Sequence, residues 1–434
     1  MIDREEERLR HMKDRLDKIP IPEEALSCAI RAGVRQESQG RTLKKKAIKM
    51  IWPAAAAAVL LLAFVLSIRI SPAFAQAVSS LPGMAPVVEL IQNDKGMKAI
   101  IDNEYYEELH VTDNDGSFTI TLNGIIADQS GMVISFTVDS AAGLKDPFLE
   151  TPELYHNGQL IEHRGISFNY PSDDGKISNE QLIHYNFAEP LAPDVTDFEL
   201  RLKLREGDTS VFSLPFTLKK PIAQSKSHQL NQTVTIGGQK LTIRSIDIHP
   251  LRVEVNVMED PDNTMDILQY EDMRLESESG EVWSSISNGI TATWEEDGSE
   301  TYFLQSNFFT QPDRLVFRMS RLQALQKTEQ LVVNTLTGKV LETPSDGKLE
   351  VTKLSPTLVE TKLKTGAEFG YGYLRDAVDS NGKTIDLASG GSWQIDDYSY
   401  SDLTFKNGDY SNPITIHFFA YPNYIEGDVT VRLE

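Results

Sequence analysis

At 434 residues the chain has room for about three domains, and a formal charge of -22 excludes nucleic-acid binding driven by bulk electrostatics, because phosphates must be met by Lys and Arg. The charge is split. Residues 1–49 hold 13 Lys/Arg against 9 Asp/Glu, and the other 385 hold 29 against 55, a division that suggests two compartments. The single cysteine, Cys28, leaves the long C-terminal part without a disulfide framework.

The first element is EEERLRHMKDRLDKI, which sets Leu9, Met12, Leu16 and Ile19 at helical spacing on one stripe. I-P-I-P interrupts it. Glu23 and Glu24 then open a second helix, where the macrodipole favours acids, with Leu26, Ala29, Ile30 and Val34 on its apolar face. Isolated helices of this length are marginal in water. Residues 1–49 are therefore either a solvated tail or a segment that folds on a partner and lays its stripe into a groove; the regular stripes favour the second. His11 and Cys28 stand singly, so no zinc site is expected here.

Met50 to Ile68 are 19 consecutive uncharged residues. At about 1.5 Å per residue they span about 28 Å, close to the hydrocarbon thickness of a bilayer, so 50–70 is expected to be a transmembrane helix. Arg41, Lys44, Lys45, Lys46 and Lys49 precede it and only Arg69 closely follows. The positive-inside rule then places the N-terminus in the cytoplasm and the C-terminal mass outside the cell. Ser71-Pro72-Ala73-Phe74-Ala75-Gln76 carries the small-x-small pattern that signal peptidase cuts, which makes Ala73, Ala75 and Gln76 a candidate cleavage site. A 49-residue region before the apolar run is too long for an ordinary signal peptide and points to a retained anchor, unless the cut is real and regulated.

Beyond the span, QAVSSLPGMAPVVELI and DKGMKAIIDNEYYEEL read as short helices, the second with Met97, Ile100, Ile101 and Tyr105 on one side. From Gly116 the period drops to 2, and SFTITLNGII–ADQSG–MVISFTVDS reads as a hairpin. Its opening recurs. Phe118–Leu122 followed by Met132–Phe136 resembles Leu241–Ser245 followed by Arg252–Val255, and Leu349–Lys353 followed by Leu358–Thr361. FELRLKL from Phe198, RLVFRM from Arg314 and PITIHFF from Pro413 give a late strand in each unit, and 219–233 and 341–348 read as linkers. The expected fold is mainly β: short cytoplasmic helices over 1–49, the span over 50–70, then tandem extracellular β-sandwich-like domains. The first covers 71–220 with its juxtamembrane helices, the second 221–345 and the third 346–434.

Catalytic chemistry is not legible. G-x-S-x-G, H-E-x-x-H, P-loop and G-x-G-x-x-G patterns are missing from the sequence, so an enzyme, a cofactor and a metal site are not expected. Histidines 110, 156, 163, 184, 228, 249 and 417 are scattered and read as surface or strand residues. DNDG (113–116) and DPDN (260–263) lack EF-hand spacing and read as turns. Glu295-Glu296-Asp297 could mimic a glycosidase pair but reads as solvated loop acids. Trp283, Trp294, Trp393 and the Tyr398/Tyr400 pair could bind a polymer or fill a core.

The I-P-x-E break between two helices, the basic cluster and single span, SPAFA (71–75), LPGM (81–84) and DKGMKAIIDN (94–103) follow one another in an order that resembles membrane-bound regulators of extracytoplasmic-function sigma factors in Gram-positive bacteria. That resemblance implies an anti-sigma factor. Its cytoplasmic segment, through Leu9, Met12, Leu16, Ile19, Leu26 and Ile30, would hold a sigma factor at the membrane, and envelope stress would be read outside and relayed by proteolysis near the span. An envelope ligand or partner protein would meet the ectodomain, with no direct contact to nucleic acid. The competing reading is a cell-envelope binding or structural protein whose N-terminal tail is inert.

Overall fold

The computed structural model describes residues 94–434 except 141–147, 169–179, 207, 287–290, 311, 367–368, 407–408 and 434, and all described residues belong to one compact unit. The expected cytoplasmic helices, the expected span, the candidate cleavage site and their named residues, Leu9 through Gln76, lie outside the described residues. Among the described residues no helix is long and apolar enough to cross a membrane.

The chain enters through helix α1, Lys95–Asp102. Asp94 caps it, its carboxylate accepting from the backbone N–H of Gly96 (2.7 Å) and Met97 (3.1 Å). The expected helix is longer than the one observed. Glu104 takes φ 56°, the chain turns, and the EEL of YYEEL starts a strand.

Ten strands follow: β1 Glu107–Asn114, β2 Phe118–Ala127, β3 Gly131–Ser140, β4 Phe148–Leu149, β5 Glu153–His156, β6 Gln159–Leu160, β7 His163–Phe168, β8 Glu180–Phe187, β9 Asp197–Glu206 and β10 Asp208–Thr217. They form a sandwich of two antiparallel sheets, ordered β1-β2-β3-β8-β7 and β10-β9-β5-β6, with β4 also on β9. Alternation points Ile120, Leu122, Ile134 and Phe136 of one sheet at Leu200, Leu202, Phe212 and Leu214 of the other. Strand β3 is buried on both faces because Ile126, Val133 and Leu182 on the outer side are covered by Met97 and Ile100 of α1.

The second sandwich begins with β11 Lys226–Ile236, β12 Gln239–Ile248, β13 Val253–Glu259, β14 Met265–Tyr270, β15 Arg274–Ser277, β16 Val282–Ser284, β17 Ala292–Trp294, β18 Glu300–Leu304 and β19 Leu315–Gln326. Its first sheet runs β11-β12-β13-β18-β17, the same path as β1-β2-β3-β8-β7. The expected linker 219–233 is therefore strand from Lys226 onward.

A third sandwich contains β20 Leu331–Asn334, β21 Lys339–Glu342, β22 Leu349–Ser355, β23 Leu358–Lys364, β24 Leu374–Val378, β25 Leu387–Ile395, β26 Tyr398–Phe405 and β27 Ile414–Phe418, in sheets β21-β20-β27-β24 and β22-β23-β26-β25. The last strand, β28 Tyr424–Leu433, then returns to pair with β19 along Leu315↔Leu433 to Gln323↔Tyr424. Val429 and Val431 enter the second core. The third sandwich is thus inserted between two neighbouring strands of the second. A boundary between 345 and 346 does not match this pairing, because β20 and β21 precede it and β28 follows it. The expected linker 341–348 lies inside the third sandwich.

The recurring hairpins share a bulge. Asn123 in β2, Arg244 in β12 and Thr352 in β22 are each an extra residue opposite the second hairpin strand. Aligned on it, Ile120, Leu241 and Leu349 are equivalent, as are the fully buried Ile134, Val255 and Val359. The sequence comparison that started the repeat at Phe118 is two residues out of step.

Candidate functional site: the joint between the first two sandwiches

Two equivalent turns meet at this joint. The β2–β3 turn offers Asp128, fully buried, whose Oδ1 accepts from Ser130 N, Ser130 Oγ and Gly131 N at 2.8–3.0 Å. Its Oδ2 accepts from Leu251 N, in the β12–β13 turn, at 2.7 Å. A short carboxylate that closes its own turn this way is an Asx-type device; here the spare oxygen also holds the neighbouring sandwich.

Arg252 follows. It is 8% exposed and donates to the carbonyls of Ser130 (3.2 Å) and Tyr185 (3.4 Å), lies 3.7 Å from Glu254 and stands over the Phe303 ring. A buried guanidinium needs such partners. Gly131 makes room for it, since a Cβ there would sit 2.3 Å from both Arg252 Nη2 and the Tyr185 carbonyl. Loss of hydration, and secondly the charge of Arg252, push the His184 imidazole down to about 4, so it stands neutral at neutral pH.

Helix α1 closes one side. Met97 and Ile100 pack with Leu251 and Phe309 of the second sandwich, and Lys95 Nζ donates to Val282 O at 3.1 Å. Gly96 is required by close approach: a Cβ there would lie 2.6 Å from Ser306 N. Burial raises the Asp94 carboxyl against its two cap bonds, and raises the Tyr105 hydroxyl to about 12. Tyr105 Oη donates to Ala127 O (3.0 Å) and accepts from Ala223 N (3.2 Å), tying the helix exit to the chain between the sandwiches.

On another side lies a groove of about 1120 Å³. Its floor includes Arg244, Asp247, Glu254 and Asn256 of the second sandwich; residues at the end of the first, among them Glu162, Arg164 and Asn186, form a wall. Arg164 Nη1 bridges the two to Glu295 Oε1 at 3.0 Å. Asp297 pairs with Arg244, and that bond, ahead of those from Ser299, holds its carboxyl far below the usual range.

Of the residues singled out in the sequence, this joint gathers Met97, Ile100, Ile101, Tyr105, Trp294 and the Glu295–Asp297 run. Glu295 and Asp297 are not merely solvated: each has an arginine partner. Trp283 is a core residue at 2% exposure, and Trp393 stacks on Tyr400 on the third sandwich. DNDG and DPDN form turns, with Asp115 Oδ1 accepting from Ser117 N and Phe118 N and Asp260 Oδ1 from Asp262 N. Asp128, His184, His249 and Arg252 carried no local signal. Their importance arises from two hairpin turns meeting.

Residues 44–140 match a domain of unknown function (DUF4179), and residues 225–344 match a family of unknown function (DUF5643). The first match runs from the basic cluster to the end of β3 and includes α1. The second runs from the start of the second sandwich into the third, past β21. No curated protein matches the chain. Among solved structures, the crystal structure of the conserved domain protein from Bacillus anthracis is similar at 14% identity, over 55% of this chain and 84% of that one, with a TM-score of 0.36.

Proposed function

We propose that the protein is a single-pass membrane regulator that sequesters an extracytoplasmic-function sigma factor through residues 1–49 and senses envelope conditions through its β domains. The observation that carries this reading is the match of residues 44–140 to DUF4179, a domain typical of anti-sigma-factor-like membrane proteins. The position of α1 supports it. The first described element after the expected span packs into the joint between two sandwiches, so on this reading a rearrangement of that joint would be passed to the segment before α1. Any coupling of this kind needs an element with two arrangements that both sides bias; a docked and an undocked α1 would supply them.

The test is co-purification of the full-length protein, solubilised from membranes, with sigma factors expressed alongside it. One sigma factor should be retained by the native chain and lost from Leu16→Asp and Leu26→Asp variants that still insert in the membrane. Equal recovery from native and variant chains would refute sequestration through these helices.

A further inference from the structure

We infer that the groove between the first and second sandwiches is a binding site for a cationic peptide segment. This concerns the ectodomain alone and does not rest on the sigma-factor reading.

Charge is the first argument. Seven carboxylates and two guanidiniums line the groove. Arg164 and Arg244 are consumed by Glu295 and Asp297, and Glu254 shares Arg252. Among the described residues no Lys or Arg pairs with Glu162, Glu189, Asp247 or Glu296, and Glu162, Glu189 and Glu296 are exposed. Like charges gathered in a concave wall focus the field and draw cations in, and the acidic chain beyond residue 49 reinforces that attraction at long range.

Charge alone would describe any acidic surface, so the second argument is independent of it. Asn186 and His249 line the groove and are 2% and 6% exposed, yet Asn186 Nδ2 and His249 Nδ1 have no hydrogen-bond partner. A buried amide N–H left unpaired costs about 1–3 kcal/mol, so such groups in a native structure call for a partner. Nδ2 of Asn186 is enclosed in the groove wall, so an acceptor reaches it only with a local shift of that wall. A peptide brings backbone carbonyls as well as cationic side chains, whereas a polyamine or a metal ion brings no acceptor.

Trp294 is the third. It is 66% exposed on the groove, with its indole N–H held by Glu300 Oε1 at 2.9 Å. An exposed tryptophan ring takes a Lys or Arg by cation–π attraction or an apolar side chain by contact. At about 1120 Å³ the groove exceeds the usual ~300–1,000 Å³ of a small-molecule pocket, which suits several residues of extended peptide.

The test uses the full-length protein in nanodiscs of uncharged phosphatidylcholine, with fluorescein-labelled (Lys-Gly)4 read by anisotropy. Saturable binding is expected, weakened about tenfold by the double variant Glu162→Gln/Glu296→Gln and by less than twofold by the remote double variant Glu342→Gln/Glu350→Gln. Spermine should displace the peptide at least tenfold less effectively than unlabelled peptide does. Absence of saturable binding, equal weakening by the two double variants, or displacement by spermine as effective as by peptide would overturn the proposal. So would saturable binding of chitohexaose in place of the peptide, which would make the groove a glycan site.

Discussion

Leu251 N donates to Asp128 Oδ2 at 2.7 Å, so the turn of one repeated hairpin is held by the turn of the equivalent hairpin in the next sandwich. The same carboxylate closes its own turn through three further bonds. Asp128→Ala should therefore strand several buried donors and cost roughly 3 kcal/mol in urea denaturation. Asp128→Asn, which keeps an acceptor, should cost less. A loss below about 0.5 kcal/mol for the alanine variant would show that the joint is held elsewhere.

Gly96 sits where α1 touches the backbone of Ser306. A valine there should push the helix out of the joint at a cost of about 1–3 kcal/mol. Hydrogen exchange would show it as lost protection in residues 95–103, with the sandwich cores unchanged. Unaltered exchange across α1 would contradict this account of its docking.

Glu259 is pushed up to about 7 by burial, with Glu300 and Asp266 adding repulsion and Lys327 opposing it. An unfolded glutamate titrates near 4.3. Between those values the folded protein keeps a proton that the unfolded chain has lost, so stability falls as pH rises from about 4.5 to about 7 and then levels off. The stability lost is at most about 4 kcal/mol. Glu259→Gln should abolish that slope and stabilise the protein at pH 8; a variant with the native pH profile would assign the slope to other groups.

Deletion of 424–434 should unfold the second sandwich, because β28 supplies Val429 and Val431 to that core, each worth about 1.5–3 kcal/mol on burial. Replacing 328–422 by a short glycine-rich loop should leave it folded, since Gln323 and Tyr424 already face each other. Near-UV circular dichroism, sensitive to buried Trp283, distinguishes the two outcomes. Native-like spectra in the first variant, or lost signal in the second, would contradict the inserted arrangement.

Cleavage at the SPAFA sequence, if it relays the signal, should be blocked by Ala73→Lys or Ala75→Lys. Immunoblots of medium and membrane fractions from stressed cells would then show the ectodomain retained and the regulon silent. Shedding at the native rate in both variants would remove this site from the relay.

The strands were legible wherever one face is buried. FTITL, FELRLKL and PITIHFF alternate cleanly, and β2, β9 and β27 follow them. The repeat was legible as well, but its register was not, because a shift of two residues keeps every side chain on its own face and alternation cannot tell the two apart. Only the bulges at Asn123, Arg244 and Thr352 separate them, and those three residues share no chemistry. The long reach of β28 to β19 was invisible for another reason: Leu315 and Leu433 pair across more than a hundred residues, and no local pattern records a partner so distant. The groove escaped notice because its walls come from two sandwiches, although the acids at 295–297 and Trp294 drew attention singly.

Hanging the third sandwich between β19 and β28 also decides how it bears a pull. Both tethers leave the same end of adjacent strands, so a pull on that module directed along those strands loads both of them together. The ladders joining β19 to β14 and β15 are then sheared all at once instead of unzipped one rung at a time. A module anchored this way passes any load it carries to the core of the second sandwich through two adjacent strands at once.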